Sequence, residues 1–239
     1  MRITFVGTSY GRPIFGRRCS CIMIETGGKI YFVDMGTMVI EDLVNREAPM
    51  KDVAAIFITH MHGDHVNGLP HFMQMTDGHI DECNPAVFLP EETAADAIIA
   101  WERAIRIHPR ERDFRLTTPG EIYDDGIIKV TAEQTKHTDH SFAYIVEAEG
   151  KTVCFAGDLE KPDVDFPRSV YGRELEMIVL EGQHFHPDEY IPHLRKTTAK
   201  HIVITHYAFN KTQRIFEFAD HVWPNGKVYA AHDGLVFDI

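Results

Sequence analysis

The 239-residue chain is short of cysteine, of positive charge and of long apolar runs. Four cysteines, at irregular spacing, do not form a disulfide framework, so we expect reduced core residues and a cytoplasmic protein. Lysine and arginine number 24 against 36 acidic residues, and the net charge of −12 disfavours strong nonspecific nucleic-acid binding without excluding nucleotides. No apolar run is long enough to span a membrane, and the first residues lack the pattern of a signal peptide, so we expect no membrane association.

Length and composition are those of an ordinary globular protein. Apolar residues make up 44% and charged residues 25% of the chain. A chain of 239 residues is long enough to bury one large core, and no linker or low-complexity run divides it. We therefore predict a single domain over residues 1–239.

Short apolar runs alternate with helical patterns in two similar halves. The first half predicts a β-meander, then a helix over 37–45 and a buried strand at 53–58. Thr37 is the expected N-cap of that helix, and its inner face is expected to carry Ile40, Leu43 and Val44. The second half repeats strands and helices in a similar order. Two such halves predict an α/β fold of four layers, an α/β/β/α sandwich.

A cluster of metal-ligand residues stands directly after the strand at 53–58. Imidazole and carboxylate are ligands that Zn²⁺ and similar ions select, and such a cluster is otherwise costly to pack. Gly63 allows a sharp turn between the two halves of the cluster, and one pair of ligands per ion suggests two ions. A polar turn with histidines as caps is the alternative. The cluster consists of His60, His62, Asp64 and His65.

Later apolar runs end in three further candidate ligands, His137, Asp158 and His206. Loops at one end of the sandwich would bring these residues together with the first cluster. Taken singly, each has an ordinary alternative: His137 as a surface loop residue, Asp158 as a helix N-cap and His206 as a core histidine.

The motif THMHGDH at 59–65 resembles the signature of the metallo-β-lactamase superfamily, and the resemblance extends over nearly the whole chain. It implies the metallo-β-lactamase fold and two divalent ions, Zn²⁺ in first place with Mn²⁺ or Fe²⁺ as alternatives, which share a hydroxide nucleophile. His140 is the alternative to His137, with support of a ligand as its other role. The implied division is His60, His62 and His137 on the first ion, Asp64, His65 and His206 on the second, and Asp158 as the bridge.

Two further stretches, at 7–21 and 68–70, resemble the branch that contains ribonuclease Z and small-molecule phosphodiesterases. The first reads GTSYGRP and then RRCSC, and the second is a Gly-Leu-Pro turn. The resemblance implies a phosphodiesterase that acts on a small or nucleotide-like substrate. Ribonuclease Z also has a long substrate-gripping arm and a His-Glu-Ala/Ser-Thr motif, whereas this chain has no such insertion and reads LEGQHFH at 180–186. These departures argue against cleavage of tRNA 3′ ends.

Catalytic roles are predicted for Asp64, which is also a ligand, and for His184 and His232. His184 follows the strand EMIVLEG and is expected to protonate the leaving group, with His186 as the alternative. His232 ends the run KVYAA and is expected to contact the substrate or to support a ligand, unless it only precedes a turn at Asp233.

Several alternatives remain open at this point. The same ions hydrolyse acyl bonds of the lactone, thioester or β-lactam type in relatives of the superfamily, and tRNA 3′-end cleavage is a further alternative. A di-iron site for oxygen or nitric-oxide reduction would have a carboxylate in place of His62, and a metal-free binding module would not need all seven ligands. The sequence leaves a homodimer open, and its arginine-rich stretch at 103–115 predicts a solvated helix end rather than a phosphate-binding patch.

Overall fold

Two mixed sheets form the centre of the molecule. The computed structural model describes residues 1–80, 83–222 and 227–239. The first sheet contains β1 (Arg2–Gly7), β2 (Cys21–Thr26), β3 (Lys29–Met35), β4 (Val53–Phe57), β5 (Ala86–Leu89), β6 (Phe114–Leu116) and β14 (Leu235–Asp238). Its order is β14-β1-β2-β3-β4-β5-β6.

The second sheet follows the same plan. It contains β7 (Gly120–Asp124), β8 (Lys129–Thr135), β9 (Ser141–Ala148), β10 (Lys151–Phe155), β11 (Glu174–Glu181), β12 (Thr198–Thr205) and β13 (Lys227–Ala230). Its order is β13-β12-β11-β10-β9-β8-β7. In each sheet, antiparallel strands come first along the chain and parallel strands follow, from β3 to β6 and from β10 to β13.

Helices cover the outer faces of both sheets. Among the described residues, every helix is too short or too polar to cross a membrane. The helices are α1 (Ile40–Asn45), α2 (Gly63–Val66), α3 (Gly68–Gly78), α4 (Ala94–Ala104), α5 (Pro162–Asp165), α6 (Ile191–Leu194) and α7 (Thr212–Val222). Short 3-10 turns lie at Met50–Asp52, Arg168–Val170, Pro187–Tyr190 and Phe209–Lys211.

Apolar side chains are buried in three layers, as four layers of secondary structure require. The layer between the two sheets includes Phe5, Tyr31, Phe57 and Tyr144, which are all fully buried. Two further clusters lie under the helices of the first and of the second sheet. Burying one such aromatic side chain stabilises the fold by roughly 1.5–3 kcal/mol. The predicted α/β/β/α sandwich is confirmed.

The carboxyl ends of the parallel strands meet at one edge of the sandwich, where the loops carry the predicted site. In open α/β sheets, ligands bind at this edge because the loops there can converge. β4 leads into the first cluster, and β10, β11 and β12 lead into the loops of the second half.

The predicted helix at 37–45 begins later than expected. α1 starts at Ile40 with Val39 as its N-cap, so the assignment of Thr37 as the cap is wrong. The reason is a close backbone contact, because a Cβ on Gly68 would lie 1.9 Å from the carbonyl oxygen of Thr37. The segment before α1 is therefore packed against the start of α3, and Val44, predicted to be inside, is 59% exposed.

The arginine-rich stretch is only partly the solvated helix end that its composition predicts. Arg103 and Arg106 are exposed. The side chain of Arg112 is 2% exposed and donates hydrogen bonds to Asp77 and Thr76. The inner part of the stretch thus ties the loop before β6 to α3.

Candidate metal centre

The loop after β4 carries the first four candidate ligands. His62 is the N-cap of α2, so His60 and His62 precede the helix while Asp64 and His65 lie in its first turn. A Cβ on Gly36, at the end of β3, would lie 1.8 Å from the carbonyl oxygen of Asp64. Only glycine fits at this position, and the loop is thereby held against the edge of the first sheet.

His60, His62 and His137 form the first set of donors. The Nε2 atom of His60 lies 2.9 Å from Nδ1 of His62, and Nε2 of His137 lies 3.2 Å from the same Nδ1. His60 is fully buried, whereas the side chain of His137 is 12% exposed. The structure thus brings His137, which precedes β9, to the first cluster as predicted.

Asp64, His65 and His206 form the second set. The Oδ2 atom of Asp64 lies 3.0 Å from Nε2 of His206 and 3.5 Å from Nε2 of His65. His206 follows β12 with a positive φ of 51°, a left-handed backbone that is costly for a residue other than glycine. Its backbone N–H donates to the carbonyl of Thr8 at 3.1 Å.

Asp158 lies between the two sets and is 3% exposed. Its Oδ2 atom is 4.0 Å from Nε2 of His60 and 3.7 Å from Nε2 of His137. The same oxygen is 3.6 Å from Nε2 of His65, and Oδ1 is 3.4 Å from Nδ1 of His206. A carboxylate in this position is within reach of an ion in either set.

The spacing of these donors fits divalent ions. Ligand atoms about 2.0–2.2 Å from a tetrahedral ion lie roughly 3.4 Å from one another. The donor distances described above, from 2.9 to 4.0 Å, surround that value. Among the described residues, Nε2 of His65 and Nδ1 of His206 are also buried without a hydrogen-bond partner, although buried nitrogens are normally bonded.

Titratable side chains of both kinds, imidazoles and carboxylates, crowd together at the candidate centre. Burial and then the neighbouring His65 lower the pKa of His60 to about 2. Burial also lowers the pKa of His206, but Asp158 and the hydrogen bond to Asp64 outweigh it and raise that pKa to about 9. Burial raises the pKa of Asp158, but His206 and His65 hold it well below its usual value. The carboxylates therefore favour positive charge at His206, and an ion bound there would displace a proton from its ring.

Asp34, at the end of β3, supports the second set and was not predicted. Its Oδ2 atom lies 2.7 Å from Nδ1 of His65, and its Oδ1 atom accepts the backbone N–H of Thr59 at 2.7 Å. A carboxylate on the far nitrogen of a ligand histidine fixes the orientation of its ring. Asp34 is an acidic residue near the end of an apolar run, which is the same kind of signal that identified Asp158.

His184 and the unpredicted Glu181 lie beside Asp158. The Nδ1 atom of His184 is 2.8 Å from Oε2 of Glu181 and 3.8 Å from Oδ2 of Asp158. Its ring stacks on that of His206, with 5.7 Å between the centroids, and the hydrogen bond that His184 donates to Glu181 raises the pKa of His184. Glu181 is 1% exposed and ends β11, so it too could have been found as an acidic residue that terminates an apolar run.

Three other predicted histidines lie outside these donor sets. His186 caps its own 3-10 turn, where its Nδ1 accepts the N–H of Asp188 at 3.3 Å. His140 is exposed, with Nε2 4.0 Å from Glu91, so the structure favours His137 over it for the first set. His232 is exposed as well, and its Nδ1 contacts the carbonyl of the next residue at 3.1 Å. The predicted role of His232 stays a prediction.

Comparisons with known proteins agree with this geometry. A ribonuclease Z of Lactococcus lactis subsp. lactis (strain IL1403) is 29% identical over 204 residues, which are 80% of this chain and 65% of the relative. The chain thus spans less than two thirds of that relative's length. The metallo-β-lactamase fold protein YhfI from Bacillus subtilis has a TM-score of 0.76 at 18% identity and covers 99% of each chain. A diphosphatase from the PhnP family has a TM-score of 0.71 at 20% identity, covering 100% of this chain and 97% of that one.

These likenesses confirm the predicted metallo-β-lactamase fold and the resemblance to the ribonuclease Z and phosphodiesterase branch. The model of a family described as anti-Pycsar protein Apyc1 matches residues 1–220. Because that match covers most of the chain, this protein belongs to the anti-Pycsar protein Apyc1 family.

Proposed function

We propose that the chain is a metal-dependent phosphodiesterase that acts on a small or nucleotide-like substrate. The observation that carries this proposal is the position of Asp158 between two sets of metal donors, with His184 3.8 Å away. The names of two relatives, a ribonuclease Z and a diphosphatase, both denote hydrolysis at phosphorus. They favour a phosphorus ester over an acyl substrate.

Two divalent ions are part of the proposal, with Zn²⁺ favoured because most of the donors are imidazoles. When bound, such ions supply a nucleophile from water at neutral pH and stabilise charge on the reacting group. The residues proposed to hold them are His60, His62 and His137 in the first set, Asp64, His65 and His206 in the second set, and Asp158 in both.

His184 is proposed to donate a proton to the leaving oxygen. Glu181 occupies the Nδ1 side of its ring at 2.8 Å, so Nε2 is left for the substrate. A positioned acid of this kind contributes about 10²–10⁴-fold when the leaving group is a poor one. Asp34 has a different task, because its contact with Nδ1 of His65 keeps Nε2 of that ring directed at the second set.

A small substrate is favoured over a long nucleic acid by charge. The chain carries a net charge of −12, which opposes a long polyanion everywhere except close to bound cations. Its sequence also has no insertion comparable to the gripping arm of ribonuclease Z.

The test combines metal analysis with a substrate panel. We expect about two equivalents of metal, and a higher kcat/KM for bis(p-nitrophenyl) phosphate and a dinucleotide than for a lactone, a thioester or a β-lactam. Asp158→Ala, purified in parallel, is the control for contaminating hydrolases. A higher kcat/KM for an acyl substrate would replace the proposal by the acyl alternative, and position-specific cleavage of a precursor tRNA would replace it by tRNA processing.

A further inference from the structure

Arg17 is a buried cation whose side chain, within the part of the chain that the structure describes, donates hydrogen bonds to neutral oxygens only. It ends the glycine loop, which we define as residues 7–17, and it is 8% exposed. Its Nε donates to Oγ1 of Thr8 at 2.8 Å, and Nη2 donates to the carbonyl of Thr8 at 2.5 Å. Its Nη1 donates to the carbonyl of Tyr207 at 3.1 Å, and Cζ lies 3.9 Å from the centroid of the Tyr207 ring. The guanidinium thus joins the glycine loop to the residue after His206.

Two carbonyl oxygens that accept hydrogen bonds from Arg17 flank the backbone of His206. The carbonyl of Thr8, which accepts from Nη2 of Arg17, also accepts the backbone N–H of His206 at 3.1 Å. The carbonyl of Tyr207 is the next one along the chain. His206 itself has a φ of 51°, so its backbone needs an external restraint to stay in this conformation.

The glycine loop also contacts Asp64, another member of the second donor set. The backbone N–H of Gly11 donates to Oδ2 of Asp64 at 2.6 Å. That oxygen lies 3.0 Å from Nε2 of His206. One loop therefore contacts two of the three residues in the set, and Arg17 fixes the loop at its base.

We propose that Arg17 is a positioning residue for the second donor set, Asp64, His65 and His206. The inference rests on the proposed function, since it assumes that this set binds an ion. Direct contact of Arg17 with an anionic substrate does not explain its geometry, because the side chain is buried and its Nε, Nη1 and Nη2 are all engaged. A lysine cannot take its place, because one ammonium group cannot reproduce three bonds in one plane together with stacking on an aromatic ring.

The test measures the two zinc affinities of the intact chain by competition with a chromophoric chelator. The variants are Arg17→Lys and Arg17→Met, and Arg12→Met is the matched control because it removes one arginine from an exposed position of the same loop. We expect one ion to bind at least about tenfold more weakly in both Arg17 variants while the other changes less than about twofold, as is typical when a supporting contact is removed. The control should bind both ions as the wild type does.

A combined variant identifies which ion is affected. His62→Ala, which removes a donor of the first set, should retain one ion, and adding Arg17→Lys to it should weaken the binding of that remaining ion at least about tenfold. Unchanged affinities in the Arg17 variants would overturn the inference, and so would equal weakening of both ions, which indicates a general effect on the fold. If Arg17→Met does not fold, Arg17→Lys decides the outcome.

Hydrogen–deuterium exchange of the chelator-treated protein separates this inference from the proposed function. Arg17→Lys should speed deuterium uptake in the segments 8–12 and 205–208 relative to Arg12→Met. Equal uptake would show that Arg17 does not restrain His206. A wild-type chain that binds no ion would instead overturn the proposed function, and the exchange result would still decide whether Arg17 restrains this backbone.

Discussion

The carboxylate of Asp158 lies within 4.0 Å of a nitrogen of five different imidazoles. Its backbone position is fixed by the end of β10, and its side chain is 3% exposed, so solvent cannot replace it. Removal of a buried charged partner leaves the groups around it uncompensated. No other substitution at a single residue is expected to disturb both donor sets so directly.

Asp158→Ala should therefore lose at least one ion and weaken the binding of the remaining one. We expect about a 100-fold or greater loss of affinity for one ion, since a direct ligand matters more than the supporting contacts that contribute about 10–100-fold. Elemental analysis after dialysis against a zinc buffer measures the ions retained. Asp163→Ala, at an exposed carboxylate, is the control, and full occupancy in Asp158→Ala would rule out the bridging assignment.

His184→Ala should retain both ions and lose activity in a way that depends on the leaving group. A proton donor matters most when the leaving alkoxide is poor, so we expect about a 10²–10⁴-fold loss on an alkyl phosphodiester and a much smaller loss on a nitrophenyl one. The ratio of kcat values on the two substrates is the measurement. His186→Ala is the matched control because His186 contacts its own turn, and equal losses on both substrates would remove His184 from this role.

At the scale of elements, the close contact between the end of β3 and α2 holds the loop that carries His60, His62, Asp64 and His65 in place. Gly36 N–H donates to the carbonyl of Ser20 at 2.8 Å, and a Cβ at Gly36 would lie 1.8 Å from the carbonyl oxygen of Asp64. Backbone atoms cannot move aside as a flexible side chain would. The loop with the candidate ligands is therefore positioned by main-chain contacts as much as by its own sequence.

Gly36→Ala should destabilise the fold by roughly 2–4 kcal/mol, because the added methyl group forces the two backbones apart at a packed site. Chemical denaturation of the metal-free protein measures the free energy of unfolding without the contribution of ions. Gly78→Ala is the comparison, since its Cβ would approach only the end of the Ile107 side chain, at 3.2 Å. Similar losses for both variants would contradict the crowding argument.

The sequence predicts helices and strands well where the spacing of apolar residues and the type of residue that ends the run point to the same element. The run after which His60 stands is a buried strand, and the carboxyl ends of β10 and β12 lead to Asp158 and His206 as predicted. The sequence predicts elements poorly where a backbone contact between residues far apart in the chain sets the boundary of a helix. Thr37 has the side chain of an N-cap, but the nearby Gly68 imposes a close contact that no local pattern encodes.

Asp34 and Glu181 were missed for a related reason. Each is an acidic residue at the end of an apolar run, but neither belongs to the THMHGDH motif, and the family resemblance that implied the seven ligands gave neither of them a role. Their roles depend on which ring nitrogen they face, Nδ1 of His65 for Asp34 and Nδ1 of His184 for Glu181. The contact of Asp34 with His65 depends on the pairing of β3 with β4, whereas that of Glu181 with His184, three residues on, depends on the turn after β11.

At the scale of the whole molecule, the candidate centre lies at the junction of the two halves. The first sheet supplies the donors that follow β4, and the second sheet supplies those that precede β9 and follow β10 and β12. Ions bound there would link the two sheets across the edge of the core. Any ligand that binds only the folded chain also stabilises it by mass action.

Removal of metal should therefore lower the melting temperature. At free zinc 1,000 times above the dissociation constant, the stabilisation is about 4 kcal/mol, which corresponds to roughly 8–16 °C for a chain of this size. Calorimetry with and without a chelator measures the shift, and readdition of zinc should reverse it. In Asp158→Ala the shift should shrink, and an unchanged melting temperature after complete removal of metal from the wild type would contradict this prediction.

The buried carboxylates around the centre have a consequence for the choice between phosphate esters. Asp34, Asp64, Asp158 and Glu181 have side chains no more than 9% exposed, so they bring four negative charges that two divalent ions would just balance. A phosphodiester adds one negative charge to this centre, whereas a phosphomonoester adds nearly two at neutral pH. Because little solvent screens the centre, each additional negative charge on the substrate weakens its binding. We therefore expect the diester to be favoured at least about tenfold in kcat/KM. A matched pair of nitrophenyl mono- and diesters would reveal this selectivity, and faster turnover of the monoester would mean that the surplus charge is neutralised by groups outside the centre.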